Sequence, residues 1–119
     1  NAHGTGTRLN DTVEAGVIAR VFGRTEGDHI PPPVSSLKPY TGHLLGASAG
    51  VELALILAAL HDGFIPPTLR LDRPDPHLPI RHVPADGIAA PARRFLKLSL
   101  GFGGHIGVLA VEILLLQLS

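Results

Sequence analysis

The 119-residue sequence has no cysteine, no methionine and no tryptophan, and aromatic residues make up only 4% of it. Without cysteine, disulfides and thiolate metal sites are excluded, and composition is silent on redox compartment. With so few aromatics, the 45% of hydrophobic residues must build a core of Leu, Val, Ile and Ala. Net charge is missing too. Ten basic and ten acidic side chains cancel, so no broad field draws nucleic acid or an anionic membrane to the chain. Long apolar runs are also lacking: residues 44–60 are broken by Glu52 and residues 106–118 by Glu112. Neither reaches the ~20 consecutive apolar residues that span a bilayer, so no membrane span is expected. No initiator methionine, basic leader or apolar signal core precedes Asn1-Ala2-His3, and we read the chain as part of a longer polypeptide.

What is present suits one globular domain with one core. Asn10 can cap a helix over residues 11–22 whose first turn carries Asp11 and Glu14, where the helix dipole favours acids. Val13, Val17, Ile18, Val21 and Phe22 share a face, and Gly23 suits the turn beyond it. Residues 24–33, with Gly27 and three consecutive prolines, read as an exposed loop. A short strand is predicted over 34–38, then a tight turn at Gly42. The helix expected over 44–60 begins with small residues that permit close backbone approach, and it is apolar almost all round. His61-Asp62-Gly63 ends it and Pro66-Pro67 prevents its resumption. Residues 69–91 read as irregular, with a short extended piece near 80–83. Residues 95–100 alternate as a strand, and a second, buried strand over 106–114 completes a hairpin across Gly101-Phe102-Gly103-Gly104. Helices on a mostly buried sheet make the fold class α/β.

Three places could carry chemistry. His3 is followed by Gly4-Thr5-Gly6-Thr7, two hydroxyls on flexible backbone beside an imidazole; the same turn could equally house a satisfied histidine. His43 follows Thr41-Gly42, with Lys38 five residues earlier and Glu52 nine later. A buried lysine is costly unless paired, so Lys38 and Glu52 are expected to pair beneath the apolar helix, as a structural bridge, a chemical element or both. Gly101-Phe102-Gly103-Gly104-His105 offers backbone N–H groups of the kind that stabilise an oxyanion, although a plain hairpin turn explains it as well. His29, His61, His77 and His82 lie in Pro- and Asp-rich or loop contexts and read as solvated. No histidine spacing argues for a metal site.

Taken in order, Asn1-Ala2-His3-Gly4-Thr5-Gly6-Thr7 with Asn10-Asp11 and Glu14, Val34-Ser35-Ser36 with Lys38-Pro39-Tyr40-Thr41-Gly42-His43-Leu44-Leu45-Gly46-Ala47, and Gly101-Phe102-Gly103-Gly104-His105 resemble the C-terminal half of a β-ketoacyl synthase of the thiolase-like superfamily. Asp62-Gly63-Phe64-Ile65-Pro66-Pro67-Thr68 and Asp72-Arg73-Pro74-Asp75-Pro76 add to the likeness, which covers residues 1–119. The resemblance implies a thiolase-like α/β fold whose N-terminal half, with the nucleophilic cysteine, lies outside this chain. It implies decarboxylative Claisen condensation of an acyl thioester with malonyl-acyl carrier protein, in fatty-acid or polyketide biosynthesis, in the cytoplasm. By resemblance His3 and His43 flank the cysteine and stabilise the thioester enolate, Lys38 and Glu52 organise the site, and Thr5 and Thr7 bind the phosphopantetheine arm. The Leu100 backbone N–H completes the oxyanion hole. No cofactor is bound directly, phosphopantetheine arriving on the carrier protein. The partners implied are acyl carrier protein, the N-terminal half, and a second subunit in a homo- or heterodimer. Leu100, Leu37 and Ile106 stand where phenylalanine, threonine and asparagine are usual, and Ala49-Gly50 inverts the usual order. The alternative is a non-catalytic partner subunit of chain-length-factor type. The isolated chain, having no cysteine, is expected not to condense.

Overall fold

In the computed structural model, which describes residues 1–23 and 30–114, helix α1 (Arg8–Phe22) begins three residues earlier than the sequence predicts. Thr7 is the residue before its first turn, extended at φ −105° and ψ 138°, and its carbonyl accepts the Asp11 N–H at 2.9 Å. Asn10 is therefore inside the helix, and its amide donates to Asp11 (3.0 Å) and Glu14 (3.4 Å). The buried face also differs from expectation. Glu14, Ala15, Ile18 and Ala19 are buried, whereas Val13, Val17 and Val21 are 56%, 50% and 67% exposed. Small residues at 15 and 19 let Ile18 reach the core, and that register turns the valines outward. Of the loop predicted over 24–33, residues 24–29, including His29, lie outside the described residues.

Strand β1 is only Pro33–Val34, and Lys38, expected at the end of a strand, opens the short helix α2 (Lys38–Thr41) instead. Pro39 favours this, since its fixed φ suits a first helical turn and its missing N–H costs nothing there. Gly42 then takes φ 77°, the left-handed backbone that glycine adopts without strain. The predicted 44–60 helix is divided into a 3₁₀ turn at Leu45–Ala47 and helix α3 (Ser48–His61). The region after α3 is less irregular than its prolines suggest. Strand β2 (Phe64–Ile65) pairs antiparallel with β4 (Ile88–Ala89), and β3 (Arg81–His82) pairs parallel with β1. Strands β5 (Arg94–Gly101) and β6 (His105–Glu112) form the predicted hairpin, in register from Arg94↔Glu112 to Gly101↔His105.

Single backbone hydrogen bonds join these short pieces into a wider layer. Leu98 N donates to Asn1 O (2.9 Å), Ala2 N to Ser35 O (2.8 Å) and Val83 N to Val34 O (3.0 Å). Thus β6, β5, residues 1–3, β1 and β3 lie side by side, and helices cover both faces. Ile18 of α1 packs with Ala2, Val34 and Leu98. On the other face Ile56 and Leu60 of α3 pack with Leu37 and Phe95. Odd and even positions of β5 thereby serve different helices, as the two-residue period of a strand requires. Leu37, unusual by resemblance, is here a core residue at 2% exposure.

Two expectations about burial fail within this chain. The α3 helix is buried only along Ser48, Glu52, Ile56 and Leu60, and among the described residues, apart from chain neighbours and the helix's own backbone, no atom comes within 4 Å of a Cβ placed on Gly46 or Gly50. Strand β6 is exposed along most of its length, with Ile106 at 73% and Val108 at 55%. Apolar composition identifies a surface that requires cover, but the described residues do not supply it. Among them no helix is long and apolar enough to cross a membrane.

Candidate functional site

His3 is held by its backbone. Its N–H donates to Glu14 Oε1 at 2.6 Å and the Gly4 N–H to Oε2 at 2.8 Å, so one buried carboxylate grips the turn through both oxygens. Charge-assisted bonds of this kind are short and strong. From the other side Ser36 Oγ donates to Gly4 O at 2.9 Å, and the Ser36 N–H is in turn satisfied by Thr68 Oγ1 at 3.0 Å. This packing leaves no room at position 4. A Cβ there would lie 2.5 Å from Ser36 Cβ, on a backbone already at φ +44°. We therefore expect Gly4→Ala to cost ~1–2 kcal/mol for the left-handed backbone alone, with the clash in addition. Denaturant melts of Gly4→Ala beside the wild type check this loss.

The second imidazole comes from the turn between α2 and α3. His43 Nδ1 accepts the Leu45 N–H at 3.0 Å and lies 3.4 Å from Ser48 Oγ, whose hydroxyl oxygen accepts the Leu44 N–H at 2.8 Å. With Nδ1 occupied as an acceptor, the neutral ring carries its proton on Nε2, leaving a free N–H donor. Holding this turn requires Leu45 at φ 52°, an uncommon conformation for a branched side chain and one that persists only where surrounding structure fixes it. The two rings meet edge to face, centroids 5.5 Å apart at 85°. His3 is 7% exposed and His43 is exposed. Burial and the nearby Lys38 push the His3 pKa below its ordinary value, Glu14 opposes, and His43 and Lys97 push further down. His43 and Lys38 also line a cavity of about 680 Å³ with Thr5, Ser36 and Gly42.

Beneath the histidines, Lys38 Nζ donates to Glu52 Oε1 at 2.9 Å, the pair expected from sequence, with exposures of 7% and 0%. The carboxylate is shared. Lys97 of β5, 1% exposed, lies 2.8 Å from Glu52 Oε2, and its Nζ also donates to Leu98 O at 2.6 Å and Ser99 Oγ at 3.3 Å. Burial alone would raise the Glu52 pKa, but the two ammonium groups of Lys97 and Lys38 against its oxygens outweigh it and the net shift is downward. Sequence reading had placed Lys97 only as one step of a strand alternation. The missed signal is symmetrical: one lysine within the apolar middle of a strand and one acid within a largely apolar helix, both on the faces that pack together.

The remaining candidates divide. Thr5 lines the cavity, and its hydroxyl lies 2.8 Å from that of the exposed Thr7. Leu100 lies in β5 opposite Ile106, and the glycine-rich turn takes 3₁₀ form at Phe102–Gly104. His61 and His77 are exposed, as read from sequence. His82 is not solvated: it is half-buried in β3, its Nε2 has no hydrogen-bond partner among the described residues, and burial lowers its pKa. Among the described residues no group of His, Asp and Glu is disposed to hold a metal.

Residues 1–72 match the family model described as beta-ketoacyl synthase, C-terminal domain. A curated relative, the 3-oxoacyl-[acyl-carrier-protein] synthase 2 of Synechocystis sp., is 40% identical over 112 residues, 94% of this chain and 26% of its own length. The structure of the ishigamide ketosynthase/chain length factor superposes with a TM-score of 0.85 at 33% identity, covering 96% of this chain and 27% of that one. A type II polyketide synthase acyl carrier protein in complex with its ketosynthase bound to the hexaketide gives 0.84 at 32% identity, with coverage of 96% and 27%. The chain thus spans about a quarter of the length of its relatives.

Proposed function

Because this chain belongs to the β-ketoacyl synthase family, as part of the C-terminal domain of a thiolase-like α/β fold, we propose that it supplies the enolate-stabilising half of a decarboxylative condensing site. The observation that carries this reading is the pair of imidazoles meeting at 5.5 Å over a buried lysine–glutamate bridge. When a malonyl thioester loses carbon dioxide, the electron pair of the broken C–C bond moves onto the thioester oxygen as an enolate. Two neutral N–H donors fixed at that oxygen stabilise the developing charge without reorganising. His43 has its Nδ1 engaged and presents Nε2–H, and the lowered pKa of His3 keeps that ring neutral near pH 7. The enolate carbon then attacks the carbonyl of an acyl group held on a cysteine. The new C–C bond turns that carbonyl into a tetrahedral oxyanion, held in part by the Leu100 N–H, and collapse of the oxyanion breaks the C–S bond and releases the cysteine thiolate.

That cysteine lies outside this chain, which has none. By the same reading Thr5 and Thr7 hydrogen-bond the amides of a phosphopantetheine arm delivered by acyl carrier protein, which the 2.8 Å approach of their two hydroxyls, with Thr5 lining the cavity, supports. The exposed apolar faces of α3 and β6 take their cover from the rest of the synthase and from a second subunit of its dimer. The reaction belongs to fatty-acid or polyketide assembly in the cytoplasm. Retention of both histidines and of Lys38 favours a catalytic subunit over a chain-length-factor-type partner, for which an imidazole pair has no use.

The test is to incubate the full-length native protein with an acyl donor and malonyl-acyl carrier protein, and to seek β-ketoacyl product by mass spectrometry. Product is expected from the full-length protein and not from residues 1–119 alone. Failure of the full-length protein to decarboxylate or condense overturns the assignment, and product from a monodisperse preparation of residues 1–119 overturns the division of labour.

A further inference from the structure

Neutralising Glu52 requires one cation, and Lys38 provides it. The second, Lys97, is more deeply buried than the first, at 1% against 7% exposure. Taking an ammonium out of water costs several kcal/mol, and an apolar side chain of similar length would fill the same space without that cost. Three buried groups therefore carry a net single positive charge when all are ionised. The position of Lys97 indicates what this charge acts on. Asn1 is bonded to β5 on both sides of it, with Leu98 N donating to Asn1 O at 2.9 Å and Asn1 N donating to Leu96 O at 2.7 Å. The strand that carries Lys97 is thus the strand against which the His3 segment is laid.

We propose that Lys97 is a positioning residue for the His3 imidazole: it fixes the second oxygen of Glu52 and places a second buried ammonium beside the segment that carries the histidine. Its catalytic meaning rests on the condensing-site reading above. The charged and titratable groups whose fields reach His3 are Glu14 of α1, Lys38 of α2, His43 of the following turn and, last among them, Lys97 of β5. Glu14 favours the imidazolium; the other three oppose it. Glu14 is committed to the backbone of the His3 turn, and Lys97 adds to Lys38 in keeping the adjacent ring neutral. Burial pushes the Lys97 pKa below its ordinary value, and the Glu52 carboxylate works against that shift.

Lys97→Met and Lys97→Arg in the full-length native protein separate this from simple packing. The His3 titration is read by NMR of ¹³C-labelled histidine, and malonyl-acyl carrier protein decarboxylation is followed against pH. In Lys97→Met, His3 should titrate at higher pH. Turnover on the acidic limb of the profile should fall about threefold or more with KM little changed, because fewer rings are neutral there. Lys97→Arg, which keeps the charge, should titrate as the wild type does. An unchanged His3 titration in folded Lys97→Met overturns the proposal, as does Lys97→Arg behaving like the methionine variant. If the methionine variant does not fold, Lys97→Gln takes its place with the same two outcomes. A wild-type protein without decarboxylation, but with the His3 shift intact, would sink the condensing-site reading and leave the positioning of His3 standing.

Discussion

Replacing His3 by alanine in the full-length native protein is expected to lower malonyl decarboxylation by roughly 10²–10³-fold, the usual effect of removing one preorganised donor to a developing oxyanion. The fold should survive. The anchoring contacts at this position are the His3 and Gly4 N–H groups on Glu14 and the Ser36 hydroxyl on Gly4 O, all of which alanine leaves in place. The loss should therefore appear in kcat, with little change in KM or in the denaturation midpoint. His3→Asn, which keeps a side-chain N–H, should recover part of the rate. The pH dependence has a definite sign. Burial and Lys38 set the His3 pKa below the ordinary 6.5, so the ring is neutral above that value and becomes an imidazolium only in more acid solution. Wild-type activity should hold from neutral pH down past 6.5 and then fall, a limb that is missing from the residual rate of His3→Ala. Rates of carbon dioxide release between pH 5 and 8, a range roughly centred on ordinary imidazole titration, check this. An alanine variant within threefold of wild type would remove His3 from the mechanism.

Glu52→Gln should be the most damaging single change to stability. Glu52 is fully buried between two ammonium groups at 2.9 and 2.8 Å, and removing its charge leaves both uncompensated in a low-dielectric site. Breaking one buried pair costs ~3–5 kcal/mol, and here two are broken at once, so the loss near pH 7 should reach at least that figure. The pH dependence again follows from the direction of the shift. The folded-state pKa of Glu52 lies below its ordinary 4.5, so its contribution is complete above that value and is lost as pH falls through the folded-state pKa. The difference between wild type and Glu52→Gln should accordingly shrink in acid, where the wild-type carboxyl is itself protonated. Urea midpoints at pH 7 and below pH 4 give the comparison. A glutamine variant as stable as wild type at pH 7 would mean that the two lysines do not depend on Glu52. The exposed Arg94–Glu112 bridge, also at 2.9 Å with side chains 79% and 50% exposed, offers a control. Solvent screens it, and its removal should be nearly neutral.

Several features were legible in the sequence because they rest on local chemistry. The β5–β6 hairpin follows from strand alternation around a glycine-rich turn. The end of α3 follows from Asp62-Gly63 and the prolines beyond. The pairing of Lys38 with Glu52 follows from the cost of leaving either charge alone in apolar surroundings. The likeness of the His3, Lys38 and His43 motifs to a β-ketoacyl synthase was likewise present in residue order alone, and the family match bears it out.

The tertiary structure decided what no local rule reaches. Periodicity selected Val13, Val17, Ile18, Val21 and Phe22 as the inner face of α1; the core admitted Ile18 and Phe22 but took Ala15 and Ala19 in place of the valines, since helix rotation is set by what the neighbouring layer has room for. Uniform apolarity marked α3 and β6 for burial, yet burial is a relation to covering atoms, and the described residues leave much of both surfaces open. Glu14 read as a favourable first-turn acid. Only the approach of residues 1–4 to α1 made it the clamp of the His3 turn. Lys97 read as one polar step in a strand, and it became the second cation on Glu52 because β5 turns its odd-numbered positions toward α3. Sequence therefore determined which side chains carry charge, hydroxyl and imidazole. Which of them meet, out of water and at hydrogen-bonding distance, was decided by the packing of two helices on opposite faces of one layer of strands.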